Sequence, residues 1–453
     1  MTRLTLDLLR DCLEGVVPGV MATCDEAGKP NVMFISQVHY VGPEQVALSY
    51  QFFNKTRRNL LATGRASVAV FDPVTFGEYR LELDYEETRT SGPLFETMKA
   101  KLAGIASHSG LHGVFRLLGS DVFRVRSIET IFEPSAPPAM ADRNLLPAVR
   151  RVCTEMAESR GMGELIDRTL VSLQRHFGIE HAMILILDEE GGRLYTVGSL
   201  GYPTSGIGSE IEVGDGVIGV AARECAPIRI GHMTADYSYG VAIRDRARSV
   251  GMNWSKATEI PYPGLAAPES QIAVPIMCRQ SLIGVLFAEG PQALRFRYDD
   301  EDALSLVADR LAFLMPAIEE GEAVPRPSAP AGHETAPELQ TVAVRHYEAD
   351  DSVFLDHDYL IKGVAGAIFW KLVREFTQTG RTEFTNRELR LDAGLRLPAY
   401  AENLEARLLL LQRRLSERAS PIRIEKIGRG RFRLNTCCML VLEEVGRGQG
   451  GGP

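Results

Sequence analysis

A multidomain fold is expected, with a small antiparallel β barrel first, an α+β sandwich second and a helix-turn-helix with a hairpin last. Three observations predict it. The chain has 453 residues, more than one hydrophobic core accommodates. Pro/Ala-rich stretches without periodicity interrupt it at Glu133–Ala139 and from Glu319 to Pro337. Between these breaks the apolar pattern changes from short β runs to helix–sheet–helix, then to a capped short helix, a longer helix and a Gly-centred turn. The expected domains are 1–132, 140–320 and 339–445, with a Pro/Ala-rich linker at 321–338 and a Gly-rich tail at 446–453.

Composition narrows the class. Hydrophobic content of 45% and charged content of 24% are ordinary for a soluble globular chain. No apolar run is long enough for a membrane span, and the charged start, Met1–Asp7, has no cleavage site, so a cytoplasmic protein without a signal peptide is expected. Seven cysteines, with no C-x-x-C pair, fit reduced thiols rather than a disulfide frame or structural zinc; no metal site is expected. The net charge of -9 argues against nonspecific nucleic-acid binding by the whole chain. Between Lys362 and Leu434, however, sixteen Lys/Arg face eight Asp/Glu, the local asymmetry of a nucleic-acid contact surface.

In the first domain, β runs at Val16–Thr23 and Asn31–Val38 flank a turn at Asp25–Lys29, and four more follow around helical intervals at Lys55–Thr63 and Leu94–Ser107. The segment Leu48–Leu60 ends a strand and opens a helix with Lys55, Thr56, Arg57 and Arg58. Free backbone N–H groups at a helix start, beside cations and a hydroxyl, suit a phosphate. The plainer alternative is a solvated basic first turn.

With Val32–Ser36 before it and Arg65–Val70 after it, this order of elements resembles the pyridoxamine 5′-phosphate oxidase-like split-barrel family over about Leu6–Ile128. The resemblance implies a β split barrel, a homodimer and FMN. Ser49, Gln51, Lys55, Thr56 and Asn59 would face its phosphate and ribityl chain, and Phe34, Ile35 and Ser36 would border the isoalloxazine. Deazaflavin and haem are cofactors of other family members. His108 and His112 have the spacing of two imidazoles on one helical face, but Gly110 and Gly113 interrupt a helix there, which favours surface histidines over haem or metal ligation. His39 reads as a pocket-wall or core residue. No paired general acid and base is visible, so no catalytic residue is assigned.

In the second domain, helices at Leu145–Glu158 and Met162–Phe177 precede a sheet, and a helix from Asp299 to Ile318 closes it. Val213–Gly219 contains Gly-x-Gly without the full dinucleotide-binding order. Together with Ser270–Ile276 and Leu282–Leu286 it resembles a GAF domain over about Leu145–Ile318. The resemblance implies a small-molecule sensor (of cyclic nucleotides, tetrapyrroles, haem or other ligands) or a dimerisation strut. Cys225 reads as a small buried hydrophobe rather than a chromophore or redox thiol. His232, Asp236, Tyr237 and Tyr239 lie on a loop that can reach a ligand, and Trp254–Glu269 reads as a lid.

In the third domain, two short strands turn at Asp350-Asp351, a helix runs over Gly363–Phe376, and Thr385 with Glu388 makes a capping box. Leu404, Leu408, Leu411 and Leu415 form one core stripe of the long helix. Asn403, Arg407 and Arg414 cluster beside it, open to a major groove, and Arg429 and Arg431 occupy a hairpin tip suited to phosphate or minor-groove contact. This arrangement resembles the winged-helix output domain of response regulators over about Val342–Leu434. The resemblance implies that the long helix reads DNA and the hairpin is the wing. Leu409 and Leu410 depart from it, standing where family members commonly carry basic residues, and are expected to pack against another element or a partner subunit. A protein-contact module is the alternative.

The function expected is a dimeric one-component transcriptional regulator that senses a small molecule or redox state through its first two domains and binds DNA through the third. The rival readings are an FMN-dependent oxidoreductase with accessory GAF and protein-contact domains, and a cofactor-free scaffold.

Overall fold

The structure is a computed structural model that describes residues 4–13, 19–35, 37–51, 55–72, 75–92, 94–99, 102, 117–133, 144–188, 192–230, 260–320, 341–392, 395, 404–428 and 430–445. It is a multi-sheet α+β chain in three units.

The first unit is a seven-stranded sheet of order β2-β1-β5-β6-β7-β4-β3. Its strands are β1 (Gly19–Cys24), β2 (Pro30–Ile35), β3 (Val38–Gly42), β4 (Gln45–Tyr50), β5 (Arg65–Phe71), β6 (Glu78–Arg89) and β7 (Gly119–Phe132). Every pairing is antiparallel. The β1–β2 turn forms because Asp25 Oδ1 accepts from the backbone N–H of Ala27 and Lys29, and Gly28 takes a φ of +80°. Helix α1 (Lys55–Thr63) follows β4, as expected, and a 3-10 helix (Leu6–Leu13) packs its Leu6, Leu9 and Leu13 into the sheet's core.

The second unit begins with α2 (Leu146–Ala157) and α3 (Met162–Phe177), the latter stopped by Gly178 at φ +63°. Its six-stranded antiparallel sheet has the order β10-β9-β8-β13-β12-β11. These strands are β8 (His181–Asp188), β9 (Arg193–Leu200), β10 (Glu210–Glu212), β11 (Ile228–Ile230), β12 (Ser270–Cys278) and β13 (Ser281–Gly290); α4 (Gly216–Glu224) precedes β11 and α5 (Tyr298–Glu320) closes the unit. Alternation sends Ala182, Ile184 and Ile186 toward the α2, α3 and α5 side, and Met183, Leu185 and Phe287 toward α4. Cys225 departs from expectation. It is exposed at the left-handed C-cap of α4, φ 48°, between the buried Ala222 and Ala226.

The third unit holds two sheets. One, of order β16-β15-β14-β20, comprises β14 (Thr341–Tyr347), β15 (Ser352–Leu355), β16 (Asp358–Ile361) and β20 (Met439–Val445), with β14 and β20 parallel. The other, β17-β19-β18, comprises β17 (Glu383–Thr385), β18 (Ile422–Gly428) and β19 (Arg431–Thr436). The unit's helices are α6 (Gly363–Thr379), α7 (Asn386–Leu391) and α8 (Leu404–Glu417). Among the described residues, no helix is long and apolar enough to cross a membrane.

A single apolar cluster runs from Val149 in α2 to Leu440 in β20, so the second and third units share one continuous core. The first unit adjoins the second through polar groups. The Arg10 guanidinium lies 4.6 Å from the Tyr40 ring centroid and 4.5 Å from that of Tyr298, and Lys99 pairs with Glu224 at 3.1 Å.

Candidate functional sites

The phosphate-type residues of the first unit divide into two sets. Thr56 and Asn59 are buried on the inner side of α1: Asn31 Nδ2 donates to Thr56 Oγ1 at 2.7 Å, and Asn59 Nδ2 donates to Thr23 Oγ1 at 3.3 Å. They tie α1 to β1 and β2. Arg57, which the sequence placed among the cations of the helix start, pairs with Asp121, donates to Thr88 Oγ1 at 2.8 Å and lies 4.2 Å over the Tyr50 ring. Ser49, Gln51 and Lys55 are half-buried around the β4–α1 junction, and Gln51 Nε2 donates to Ser49 Oγ at 3.4 Å. On β2, Ile35 is buried and Phe34 is 76% exposed. Ser36 lies outside the described residues, as do His108 and His112.

In the second unit, Glu289 stands buried at the end of β13. It accepts from the backbone N–H of Leu265 at 2.8 Å and from Gln271 Nε2 at 2.9 Å. Burial pushes its carboxyl above the ordinary range, against the pull of these hydrogen bonds. His232, Asp236, Tyr237, Tyr239 and Trp254 lie outside the described residues. Among the described residues no cluster of His, Cys, Asp or Glu has the makings of a metal site.

The third unit contains the arrangement with the clearest geometry. Thr385 caps α7: its Oγ1 accepts from Glu388 N at 3.2 Å while Glu388 Oε2 accepts from Thr385 N at 2.9 Å. In α8, Leu404, Leu408, Leu411 and Leu415 are buried as one stripe against the unit's own core. The β18–β19 hairpin follows, with Gly430 at φ +56° in its turn. Arg431 is exposed at the start of β19 and pairs with Glu383 at 2.9 Å; Arg433 joins the same carboxylate at 2.6 Å. Asn403 and Arg429 lie outside the described residues.

Arg407 and Arg414 are not open to solvent, contrary to the expectation from the helical wheel. Arg414 is 6% exposed; its Nε donates to the Leu360 carbonyl at 3.1 Å and its Nη1 pairs with Glu417 at 3.1 Å. Burial lowers its pKa. Position 414 sits too near the leucine stripe to escape the neighbouring β16. Arg407 reaches out of the unit altogether and pairs with Asp188 of β8 at 2.9 Å. Arg413, absent from the residues expected to contact DNA, does more: it donates to the carbonyls of Val197 at 2.6 Å and Gly163 at 3.3 Å and pairs with Asp167 at 2.8 Å. The signal for it was present, since at 100° per residue Arg413 lies opposite the leucine stripe. Leu409 and Leu410 pack into the shared core, Leu409 with its Cδ1 3.1 Å from where a Cβ on Gly163 would stand.

Residues 162–315 match the GAF domain family, and this stretch is a GAF domain. No curated protein matches the chain. Among solved structures it is similar to the GAF domain of a phosphoenolpyruvate-protein phosphotransferase from Acinetobacter, at 19% identity and TM-score 0.31, over 40% of this chain and 99% of that one. It is also similar to the free methionine-R-sulfoxide reductase from Neisseria meningitidis in complex with its substrate, at 19% identity and TM-score 0.30, over 38% of this chain and 89% of that one. An FMN-binding protein from Syntrophomonas wolfei subsp. wolfei is similar at 18% identity and TM-score 0.24, over 28% of this chain and 92% of that one.

Proposed function

We propose that the chain is a cytoplasmic, dimeric one-component regulator that senses a small ligand through its GAF domain and binds DNA through its C-terminal unit. The observation that carries this reading is the succession of capped α7, leucine-striped α8 and the β18–β19 hairpin with Arg431 exposed at its start. That order is a winged helix in which α8 reads a groove and the hairpin reaches the backbone. The local excess of sixteen Lys/Arg over eight Asp/Glu between Lys362 and Leu434 supports it.

The first unit is, on this reading, a split barrel that carries FMN. A hydroxyl, an amide and an ammonium at the β4–α1 junction, from Ser49, Gln51 and Lys55, are the donor set a phosphate takes. Thr56 and Asn59 fit less directly, because they hold α1 to the sheet. The exposed Val32 and Phe34 on edge strand β2 support pairing with a second copy. The test of the DNA reading is selection of duplexes from a random-sequence pool by the full chain. Recovery of a recurring sequence is expected; a pool that emerges unchanged both from the full chain and from its Asp167→Arg/Asp188→Arg variant overturns the reading.

A further inference from the structure

We propose that the GAF domain and DNA compete for one face of α8, and that the structure is the closed state, in which DNA is excluded. This rests on the assignment of α8 as the groove-reading helix.

At 100° per residue, Leu404, Leu408, Leu411 and Leu415 point into the unit's own core. The opposite side carries Ala406, Leu409, Leu410, Arg413 and Glu417, flanked by Arg407. This is the side a groove-reading helix turns to DNA, and here the GAF domain covers it. Ala406 and Leu410 are 1% and 3% exposed. Glu417 binds Ser205, Arg407 binds Asp188, and Arg413 binds Asp167 and two backbone carbonyls. Glu405, Gln412 and Ser416 lie on a remaining narrow strip, and Arg414 is held against β16 of its own unit. A helix about 10–12 Å across needs its whole outer face free to enter a major groove about 12 Å wide, so docking and DNA binding exclude one another.

Two features suit the GAF surface to this role. It presents carboxylates where DNA would present phosphates: Asp188 to Arg407, Asp167 to Arg413, and Glu210 to Lys362 at 3.0 Å. It also lacks side chains where α8 comes closest. A Cβ on Gly163 would lie 3.1 Å from Leu409 Cδ1, and one on Gly198 would lie 3.1 Å from Arg413 Nη1. The seam leaves a cavity of only about 20 Å³, lined by Ile186, Val197, Val364 and Leu410 among others, which is room for about one water.

The test reverses the GAF carboxylates and leaves the C-terminal unit intact. The full chain, its Asp167→Arg/Asp188→Arg variant and the milder Asp167→Asn/Asp188→Asn variant are compared by small-angle scattering. Each is also titrated by fluorescence anisotropy with a labelled duplex recovered from the random pool by any of the three. The expected result is an expanded variant that binds the duplex about 10- to 100-fold more tightly than the wild type, the range of ordinary coupling between sites. Should the charge reversal unfold the chain, the asparagine pair gives the same comparison with a smaller shift. An expanded variant with unchanged DNA affinity overturns the competition and leaves the DNA reading standing. An expanded variant that, like the wild type, recovers no duplex overturns the DNA reading itself. Variants that neither expand nor bind more tightly show that these carboxylates do not hold the closed state, and overturn the proposal.

Discussion

The Arg413 guanidinium donates to the Val197 carbonyl at 2.6 Å, joining α8 to the sheet of the GAF domain across 216 positions of sequence. The contact is possible because the next residue, Gly198, has no side chain. A Cβ there would lie 2.5 Å from Ile166 Cγ2 and 3.1 Å from Arg413 Nη1. Gly198→Ala is therefore expected to destabilise the chain by about 1–3 kcal/mol, the usual cost of overpacking. Thermal denaturation measures this, and an unchanged midpoint would show that α3 and α8 do not approach β9 so closely.

The capping box of α7 gives a second expectation. Thr385→Ala removes the acceptor for Glu388 N and should cost about 1 kcal/mol in the third unit. Urea unfolding followed through Trp370 reports on this unit directly once the chain's other tryptophan, Trp254, is replaced by Phe. No shift in midpoint would mean that the helix start is held by something other than its cap.

Glu289 makes stability depend on pH in a definite direction. Burial raises its folded pKa above the ordinary value of 4.5. In the window from that value up to the folded pKa, the folded chain holds a proton that the unfolded chain has lost. Stability then falls as pH rises through the window, and the cost persists above it. Glu289→Gln removes the charge, and the amide oxygen can still accept from Leu265 N. Its stability should be flatter with pH, with a gain over wild type at neutral pH; identical pH profiles for the two chains would contradict this.

How much of this was legible in the sequence differs between elements. Helices with strong periodicity and marked ends were readable: Met162–Phe177 ends at Gly178, and Lys55–Thr63 opens after a β run. The 3-10 helix at Leu6–Leu13, the short β16 and β17, and β20 were not read. Each is too short for periodicity or, like β20, takes its strand character from a partner, β14, nearly a hundred residues away. The same limit applies to the sites. A helical wheel places Arg407 and Arg414 beside the leucine stripe and free to face a groove, but it contains neither β16 above Arg414 nor Asp188 beside Arg407. The expectation that Leu409 and Leu410 pack against another element came from their chemistry alone; which element it is depends on Gly163, a residue with no local signal of its own.

The flavin proposal predicts a coloured protein. The chain as isolated, or after incubation with FMN, should show flavin absorption. Lys55→Ala should weaken FMN binding about 10- to 100-fold, the value of one charge-assisted hydrogen bond. A chain that remains colourless and does not bind added FMN would remove the cofactor from the account.

DNA binding by the C-terminal unit is read from the salt dependence of its affinity. Anisotropy of a selected duplex is measured with the full chain and with Arg431→Ala across a series of salt concentrations. Affinity is expected to fall steeply with salt, and the Arg431→Ala chain to bind more weakly with a slope shallower by about one unit. Recovery of no duplex by either the full chain or its Asp167→Arg/Asp188→Arg variant, or binding that neither salt nor the loss of Arg431 changes, would contradict it.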